Sequence, residues 1–458
     1  MPYLIACRQW NILAIYCGRM TMNDCTRSGS LKICIIEACD NYDAGSIGAY
    51  YIAEHARRAG YNVDVLRSPK AGYDIELISV HHCTDFPKVA MMPKRARYRI
   101  IGGHPMQNNP RPIIPFADAV CVGEGESWIG KALKLLEKHD DINALSELPG
   151  TIISKNWKRD DPIPDPNFEK PLPDNPPYLN HAGTRRAAWY IEIARGCPYN
   201  CKFCELGNSS PFRYYSEEHL HRILEMADTS ATRKINFYAP DEVSHPHYHE
   251  LFAYLMQKGY AASFSSMRID SILRRGVPPE MKRNHLIRVG IDGLSEATRF
   301  RVNKRITDDM IVEYFKLLIE ERNHVRFKMF YIFGYPWEKL SDFDSFANLM
   351  DRLRQEIKLH QSVNIRIKWT PFIPQPCTPL GDCNPIYDFK MVDNIRVWHA
   401  LNDRPRHRYQ ANIFFEADAG GPMMFESHRR QVELTRGDER ILFQKINPIY
   451  PLHRGAAE

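Results

Sequence analysis

The sequence lacks any uninterrupted apolar run close to the ~20 residues that a membrane-spanning helix requires. It also lacks a convincing secretory signal, because Arg8 interrupts the short apolar stretch after Met1. Charge of one sign is not in large excess, since 61 Lys and Arg face 55 Asp and Glu, a net charge of +6. These absences exclude an integral membrane protein and a highly charged disordered chain. We expect a protein of the cytoplasm, or of the host cytoplasm if the source is a virus, with no membrane partner.

The composition is that of an ordinary folded protein, with 44% hydrophobic and 25% charged residues. A length of 458 residues corresponds to two or three domains at ~150 residues each. Without a secretory signal, the twelve cysteines are not expected to form a disulfide framework. The sequence instead favours a reducing compartment in which some cysteines bind metal.

Strand and helix patterns alternate over residues 31–150, which predicts a doubly wound parallel α/β sheet with helices on both faces. Sheets of this kind bind ligands beyond the carboxyl ends of their strands. The candidate ligand loops are therefore those after Glu37, Val80, Ile101 and Val122.

The remaining chain divides into four further segments. Residues 1–30 have no clear period and are interpreted as an N-terminal extension, and the proline density of 151–186 predicts a semi-rigid linker. A second αβ series occupies 187–385, and a basic C-terminal tail is predicted over 386–458.

Three cysteines, Cys197, Cys201 and Cys204, lie within eight residues on a loop that follows a strand-like segment. Thiolate ligands suit zinc or iron–sulfur clusters, and both kinds of site normally take four ligands. Because only three cysteines are close in sequence, we interpret them as ligands of a [4Fe–4S] cluster with one open iron. A zinc site completed by a distant residue and three unligated thiols remain the alternatives.

The spacing Cys-x-x-x-Cys-x-aromatic-Cys, with Phe203 as the aromatic residue, resembles the motif of the radical S-adenosylmethionine (SAM) superfamily. The resemblance implies that the amino and carboxylate groups of SAM chelate the open iron. It also implies that one electron, delivered by a donor such as flavodoxin or ferredoxin, splits the sulfonium. The 5′-deoxyadenosyl radical then abstracts a hydrogen atom from the substrate.

Later segments resemble other parts of this family in order and spacing. The family's glycines are absent from the segment that would hold the amino group of SAM, and the resemblance offers Asp241 or the carbonyl of Tyr238 for this role. It also implies that Arg268 pairs with the carboxylate of SAM, an ion pair with Asp270 being the alternative. It places Asp292 at a ribose hydroxyl and Glu338 at the strand end near adenine. The implied fold of 187–385 is a partial (βα)6 barrel with its site at the carboxyl ends of the strands.

Residues 31–150 resemble the cobalamin-binding-like domain that precedes many radical SAM barrels. The matching segments are Gly-Gly-His-Pro at 102–105 and Gly-Glu-Gly-Glu at 123–126, but the cobalt-ligating Asp-x-His-x-x-Gly motif is absent. Cobalamin is therefore a possible cofactor, the alternative being a vestigial domain that shapes the substrate site. A second cluster on Cys39 and Cys83, as in methylthiotransferases, is not expected.

The function favoured by the sequence is a radical SAM enzyme, an isomerase or methyltransferase. The favoured substrate is a modified nucleobase in DNA, such as the amino-acid adducts of thymidine that some bacteriophage radical SAM isomerases rearrange. DNA or another nucleic acid would then be the partner, and Arg404–Tyr409 offers arginines and an aromatic ring for it. One alternative is a cobalamin-dependent radical methyltransferase acting on a peptide or small molecule. Another is a non-catalytic metal- or nucleic-acid-binding protein with a degenerate barrel.

Overall fold

The computed structural model describes residues 31–38, 46–263, 266–278, 286–320, 324–357, 362–386, 390–391, 393–395 and 413–418. Contacts divide the chain into two units. The described residues of the first lie within 1–106, 113–190 and 225–234, and those of the second within 107–112, 191–224 and 235–458. No helix in these described ranges is long and apolar enough to cross a bilayer.

The first unit contains a six-stranded sheet, which confirms the predicted doubly wound α/β fold. Its strands follow the order β2-β1-β3-β4-β5-β6, and all neighbours are parallel except β5 and β6. A 2-1-3-4-5 order reverses direction between β1 and β3, where such sheets place ligands. The strands are β1 Ile33–Glu37, β2 Val63–Leu66, β3 Ile75–Ser79, β4 Tyr98–Gly102, β5 Ala119–Cys121 and β6 Thr151–Ile153. The helices are α1 Ile47–Arg58, α2 Phe86–Met91 and α3 Glu126–His139.

Helices α1 and α3 pack closely because their facing residues are small. Ser46 caps α1 by accepting a hydrogen bond from the backbone of Ala49, and Ala53 is fully buried in the core. A Cβ atom added at Gly130 of α3 would lie 3.1 Å from the Cβ of Ala59. A larger side chain at Ala59 or at Gly130 would force the two helices apart.

The proline-rich segment does more than connect two domains. Strand β6 begins at Thr151, just beyond the predicted domain end at 150, and completes the edge of the sheet. Asn167 donates its backbone N–H to Val122 (3.0 Å) and accepts one from Glu124 (2.7 Å). This backbone pairing attaches the middle of the segment to the carboxyl end of β5.

The barrel strands lie in two sheets, of order β12-β11-β8-β7 and β13-β14-β15-β16-β17. The strands are β7 Tyr178–Asn180, β8 Ala188–Glu192, β9 Ala194–Arg195, β10 Arg213–Tyr214, β11 Lys234–Tyr238, β12 Ala261–Ser263, β13 Ser266–Met267, β14 Leu286–Gly290, β15 His324–Phe333, β16 Ser362–Pro371 and β17 Ile413–Asp418. The helices are α4 Glu205–Ser209, α5 Glu217–Met226, α6 Tyr248–Gln257, α7 Ile269–Arg275, α8 Glu296–Arg301, α9 Asp308–Ile319 and α10 Leu340–Glu356.

The successive strands β8, β11, β12 with β13, β14, β15 and β16 supply the six positions of the predicted partial barrel. From β13 onward every pairing is parallel. Strand β17 adds a parallel strand beyond β16, although it comes from the segment predicted as a basic tail. A hydrophobic run at 413–415 is present in the sequence, but only its pairing with β16 identifies it as a barrel strand.

One face of the barrel sheet is covered by helices. Phe327 of β15 packs against Phe315 of α9, with ring centroids 4.3 Å apart. Phe346 of α10 packs against Tyr331 (5.1 Å) and Trp369 (4.9 Å) on neighbouring strands. Side chains at the alternate positions of these strands therefore face the lumen.

The first unit contains an ion pair, Glu76 with Arg99, that is buried between β3 and β4. Arg99 Nε donates to Glu76 Oε1 at 2.6 Å, and the two side chains are 4% and 0% exposed. We expect Glu76→Gln to lower the free energy of unfolding by about 3–5 kcal/mol, because it leaves a buried guanidinium without its counter-charge. Urea unfolding measures the change. The double variant Glu76→Leu/Arg99→Met should lose less, and an equal loss in both would contradict this account.

Candidate cluster and cofactor site

The cysteine loop begins at a position that only glycine fits. Gly196 follows β9 with φ of +69°, and a Cβ there would lie 2.3 Å from the carbonyl oxygen of Pro211. A Cβ at Gly207, just beyond the third cysteine, would lie 1.8 Å from the carbonyl oxygen of Tyr199. The loop therefore closes tightly on itself around the three thiols.

Asn208 holds the second half of the cysteine loop. Its side-chain amide donates to the carbonyl of Cys201 (2.9 Å) and to that of Cys204 (2.7 Å). The backbone N–H of Cys204 also donates to the carbonyl of Cys201 (3.1 Å). Asn208 thus fixes the two carbonyls between which the chain turns, and with them the directions of two thiols.

Backbone hydrogen bonds tie the same loop to the opposite side of the barrel. The N–H of Lys202 donates to the carbonyl of Val302, at the end of α8, at 2.9 Å. The carbonyl of Lys202 accepts from the N–H of Leu380, beyond β16, at 3.2 Å. The loop is therefore placed by the barrel as a whole rather than by its own strand alone.

The three thiols are partly or fully withdrawn from solvent. Cys201 is buried, whereas Cys197 and Cys204 are half-buried. Burial raises the pKa of Cys197 and raises that of Cys204 to about 12, so metal binding must displace their protons. In the described part of the chain, no three His, Cys, Asp or Glu side chains converge on a point that suits a single metal ion. The choice between a cubane and a zinc ion at these thiols therefore rests on the sequence motif.

Arg268 lies between the thiols and an acidic partner. Its Nη1 is 3.2 Å from the Sγ of Cys201, while Nε and Nη2 each lie 2.9 Å from the carboxylate of Asp270. Its guanidinium stacks on Tyr199, with Cζ 3.9 Å from the ring centroid. The structure therefore shows the Asp270 ion pair that the sequence offered as the alternative, and adds a hydrogen bond to the thiol of Cys201.

Asp241 is a buried carboxylate with one oxygen left for a ligand. Its Oδ2 accepts hydrogen bonds from Ser244 (2.5 Å) and from Ser271 (2.9 Å). Its Oδ1 is buried and has no hydrogen-bond partner within the described residues. Burial raises the pKa of the carboxyl, with Ser244 and Ser271 opposing the shift. An amino group that donates to Oδ1 would satisfy this oxygen, and the predicted role of Asp241 at the amino group of SAM stays a prediction.

Asp292 stands at the carboxyl end of β14 in the left-handed region, with φ of +59°. Its carboxylate forms an ion pair with the buried Lys304. Its carbonyl accepts a hydrogen bond from the hydroxyl of Tyr335 at 3.0 Å. The sequence predicted Asp292 as a ribose acceptor and did not anticipate Lys304, which neutralises its charge.

Glu338 has a buried side chain that is 9% exposed. Its Oε2 accepts from the backbone N–H of Gly334 at 2.5 Å, and its Oε1 is buried without a hydrogen-bond partner within the described residues. Burial raises the pKa of Glu338 to about 8. The carboxyl is therefore largely protonated at neutral pH and can donate a hydrogen bond from its free oxygen.

Phe203 belongs to an apolar cluster next to the cysteine loop. It packs with the buried Val302, Tyr335 and Phe372, and its ring centroid is 6.3 Å from that of Tyr335. Trp337 stacks on Tyr335 with centroids 5.3 Å apart. The sequence predictions omitted Tyr335 and Trp337, although both lie in the segment identified by Glu338. The sequence signal that could have identified them is the group of aromatic residues around Gly334, at the end of β15.

Glycines in two of the loops that the sequence singled out lie against neighbouring backbone. A Cβ at Gly103 would lie 2.0 Å from the carbonyl oxygen of Val80, and one at Gly123 would lie 2.3 Å from the backbone of Asn167. These glycines therefore allow the chain to pack against itself. Cys39 and the loop after β1, together with Arg404–Tyr409, lie outside the described residues.

The raised pKa of Glu338 has a consequence for stability. Its pKa rises from about 4.5 in the unfolded chain to about 8 in the folded protein, so the folded state binds the proton more tightly. Its contribution to the free energy of unfolding is therefore full below about pH 4.5 and is lost as the pH rises towards 8. We expect Glu338→Gln to flatten this decline, as measured by urea unfolding at several pH values. Parallel pH profiles for the two proteins would refute the assignment.

Comparison with known proteins places a family match over the segment that contains this site. Residues 191–350 match the model of the Radical SAM superfamily. The chain is 25% identical over 287 residues to an uncharacterised protein of Methanocaldococcus jannaschii, covering 61% of this chain and 60% of that protein. It is 28% identical over 184 residues to the hopanoid C-3 methylase of Methylococcus capsulatus, covering 34% and 35%. The matches thus span less than two thirds of either curated relative.

Two solved structures share the fold of both units. The radical SAM methyltransferase TsrM of Kitasatospora setae, described with cobalamin and a [4Fe–4S] cluster bound, has a TM-score of 0.57 at 13% identity, covering 77% of each chain. The cobalamin-dependent radical SAM enzyme OxsB has a TM-score of 0.53 at 12% identity, covering 74% of this chain and 56% of that chain. Residues 191–350 are therefore identified as a domain of the Radical SAM superfamily, and the two solved structures show that the chain shares the fold of an α/β domain and a barrel.

Proposed function

We propose that this radical SAM enzyme abstracts a hydrogen atom from an unactivated C–H bond of its substrate. The observation that carries the proposal is the closed loop that presents Cys197, Cys201 and Cys204 at the carboxyl ends of the barrel strands. When bound to these thiols, a [4Fe–4S] cluster supplies the electron that cleaves SAM, and a flavodoxin or ferredoxin is the expected donor.

Within the proposed site, Asp241 receives the amino group of SAM at its orphaned Oδ1. Glu338 offers a protonated carboxyl, and Phe203 and Tyr335 supply an apolar wall that excludes water. Arg268 stays with Asp270 and the Cys201 thiolate. In this proposal the main role of Arg268 is to stabilise the thiolate of Cys201, and its predicted contact with the carboxylate of SAM contributes less.

Methyl transfer is the outcome we favour over rearrangement, because one aligned curated relative is a methylase. Cobalamin stays a prediction, since the cobalt-ligating motif is absent and Gly103 and Gly123 pack against backbone. Analysis of the products that the enzyme forms from a substrate distinguishes methyl transfer from rearrangement. Methyl transfer from SAM yields S-adenosylhomocysteine and a methylated product, whereas a rearrangement yields neither. A thymidine adduct in DNA stays a prediction that no described residue tests.

Replacing one cysteine distinguishes a radical SAM enzyme from a non-catalytic metal- or nucleic-acid-binding protein. After anaerobic reconstitution with iron and sulfide, the native protein should carry about four irons and form 5′-deoxyadenosine from SAM and a reductant. Cys201→Ala should lose the cluster and this product, because three thiolates are the minimum for the cubane. Cys83→Ala, which removes a half-buried thiol from the other unit, is the matched control and should retain both. A reconstituted native protein that forms no 5′-deoxyadenosine would contradict the proposal.

Replacing Arg268 should alter the redox potential of the cluster. The guanidinium donates to Cys201 and brings a positive charge beside it, which favours the more negative, reduced cluster. We expect Arg268→Gln to make the midpoint potential more negative by about 59 mV or more, a tenfold change for a one-electron couple. Arg274→Gln removes an exposed arginine that contacts Tyr199 but not the thiol, and should leave the potential unchanged. Equal potentials in native protein and Arg268→Gln, measured by titration followed with electron paramagnetic resonance, would refute this role.

A further inference from the structure

The cysteine loop carries an exposed lysine between two of the predicted cluster ligands. Lys202 stands between Cys201 and Cys204, and its side chain is exposed, whereas Cys201 is buried. The next residue, Phe203, packs inward with the apolar cluster around Tyr335. The ammonium group of Lys202 forms no hydrogen bond or ion pair with any residue that the structure describes. The loop therefore presents an unpaired cation to solvent close to the thiols.

A second basic segment lies against this loop. The carbonyl of Val302 accepts the backbone N–H of Lys202 at 2.9 Å. Arg301 precedes Val302 and Arg305 follows it by three residues, and both arginines are exposed. Arg301 lies over the ring of Trp337, with its Cζ 4.3 Å from the ring centroid, while Arg305 has no side-chain partner within the described ranges. Three exposed cations therefore lie along two adjoining segments of the barrel surface.

Little negative charge opposes these three cations. Neither the loop 197–204 nor the segment 297–307 contains Asp or Glu. The acids that flank the two segments are already engaged: Asp292 with Lys304, Asp308 with Arg299, Glu296 with the backbone of Asp308, and Glu205 with Asn108. Asp382, two residues beyond the backbone contact of the loop with Leu380, is exposed and sets one negative charge against the three positive ones. This part of the surface is therefore net positive.

An exposed aromatic ring completes this surface. Phe300, in the last turn of α8, is 45% exposed and directly precedes Arg301. Aromatic and arginine side chains are enriched in protein–protein interfaces, whereas a nucleic-acid backbone is typically followed by a longer row of about 6–10 cations. The composition therefore favours a protein partner. We refer to this surface as the basic face, which consists of Lys202, Phe300, Arg301 and Arg305.

We propose that the basic face is the docking surface for the electron donor, a small redox protein with an acidic surface of its own. The rate of electron transfer falls steeply with distance, so the donor must contact the chain close to the three thiols, as it does at Lys202. Complementary charge steers the donor to this face and fixes its orientation. One electron then passes from the reduced cofactor of the donor to the cluster, and the donor leaves oxidised by one electron. The inference rests on the proposed function, because it supplies the electron that the cleavage of SAM consumes.

The test measures binding of a bacterial flavodoxin, a small acidic one-electron carrier, to the reconstituted protein by biolayer interferometry. Lys202→Gln and Arg305→Gln should each weaken binding about threefold or more, because each removes one charge from the basic face. Lys316→Gln is the matched control for a lost charge. Lys316 is half exposed near the end of α9, which leads into the start of β15 at the opposite end of the barrel strands, so this variant should bind as the native protein does.

Product formation with two reductants separates docking from chemistry. With flavodoxin as the reductant, Arg305→Gln should need about threefold more flavodoxin than the native protein to reach half of its maximal rate of 5′-deoxyadenosine formation. With dithionite, a small reductant that needs no docking surface, the two proteins should form 5′-deoxyadenosine at equal rates. Added salt should weaken flavodoxin binding to the native protein more than to Arg305→Gln, because it screens the attraction between the two surfaces.

Weaker flavodoxin binding by Lys202→Gln and Arg305→Gln, with native affinity in Lys316→Gln, supports the proposal. No binding by the native protein, equal binding by the two variants, or an equal loss in Lys316→Gln overturns it. A DNA duplex that loses affinity in these variants while flavodoxin does not would assign the basic face to nucleic acid, which also overturns it. A native protein that binds flavodoxin but forms no 5′-deoxyadenosine with dithionite contradicts the proposed function without altering the binding result.

Discussion

The structure of the site depends on two hydrogen bonds made by the backbone of Lys202. One partner, Val302, follows strand β14, and the other, Leu380, follows β16, so the bonds connect the loop of the first barrel strand to the far strands. Because Lys202 stands between Cys201 and Cys204, the sulfur positions are set by closure of the barrel. Disrupting the far strands should therefore disturb the cluster even where no ligand is changed.

Around this loop, the buried charges form one connected arrangement. Arg268 carries the positive charge beside Cys201 and is held by two bonds to Asp270. The ring of Tyr199 stacks on this guanidinium, and the Tyr199 hydroxyl is hydrogen-bonded to the hydroxyl of Ser271. The Ser271 hydroxyl in turn donates a hydrogen bond to Asp241. A ligand group that binds at Asp241 is thus linked by short contacts to the residue that touches the cluster ligand. Such linkage gives a physical route by which SAM binding and cluster potential depend on each other.

The local sequence motif was sufficient to predict that Cys197, Cys201 and Cys204 share one loop, and their role as cluster ligands stays a prediction. Strand–helix alternation was sufficient to predict the α/β sheet of the first unit, whereas the partial barrel was predicted from the family resemblance. Contacts between distant segments were not accessible in this way: nothing in the sequence pairs Asp292 with Lys304 or brings Arg268 to Cys201. The strand at 413–418 was missed because its hydrophobic run is short and its pairing with β16 is long-range.

The central claim is that three thiolates hold a cubane with one iron open to SAM. Mössbauer spectroscopy of protein reconstituted with iron-57, recorded with and without SAM, tests it most directly. The account predicts that one iron of the four changes its isomer shift when SAM is added, while the other three, ligated by Cys197, Cys201 and Cys204, stay the same. Four irons that remain equivalent in the presence of saturating SAM would contradict it.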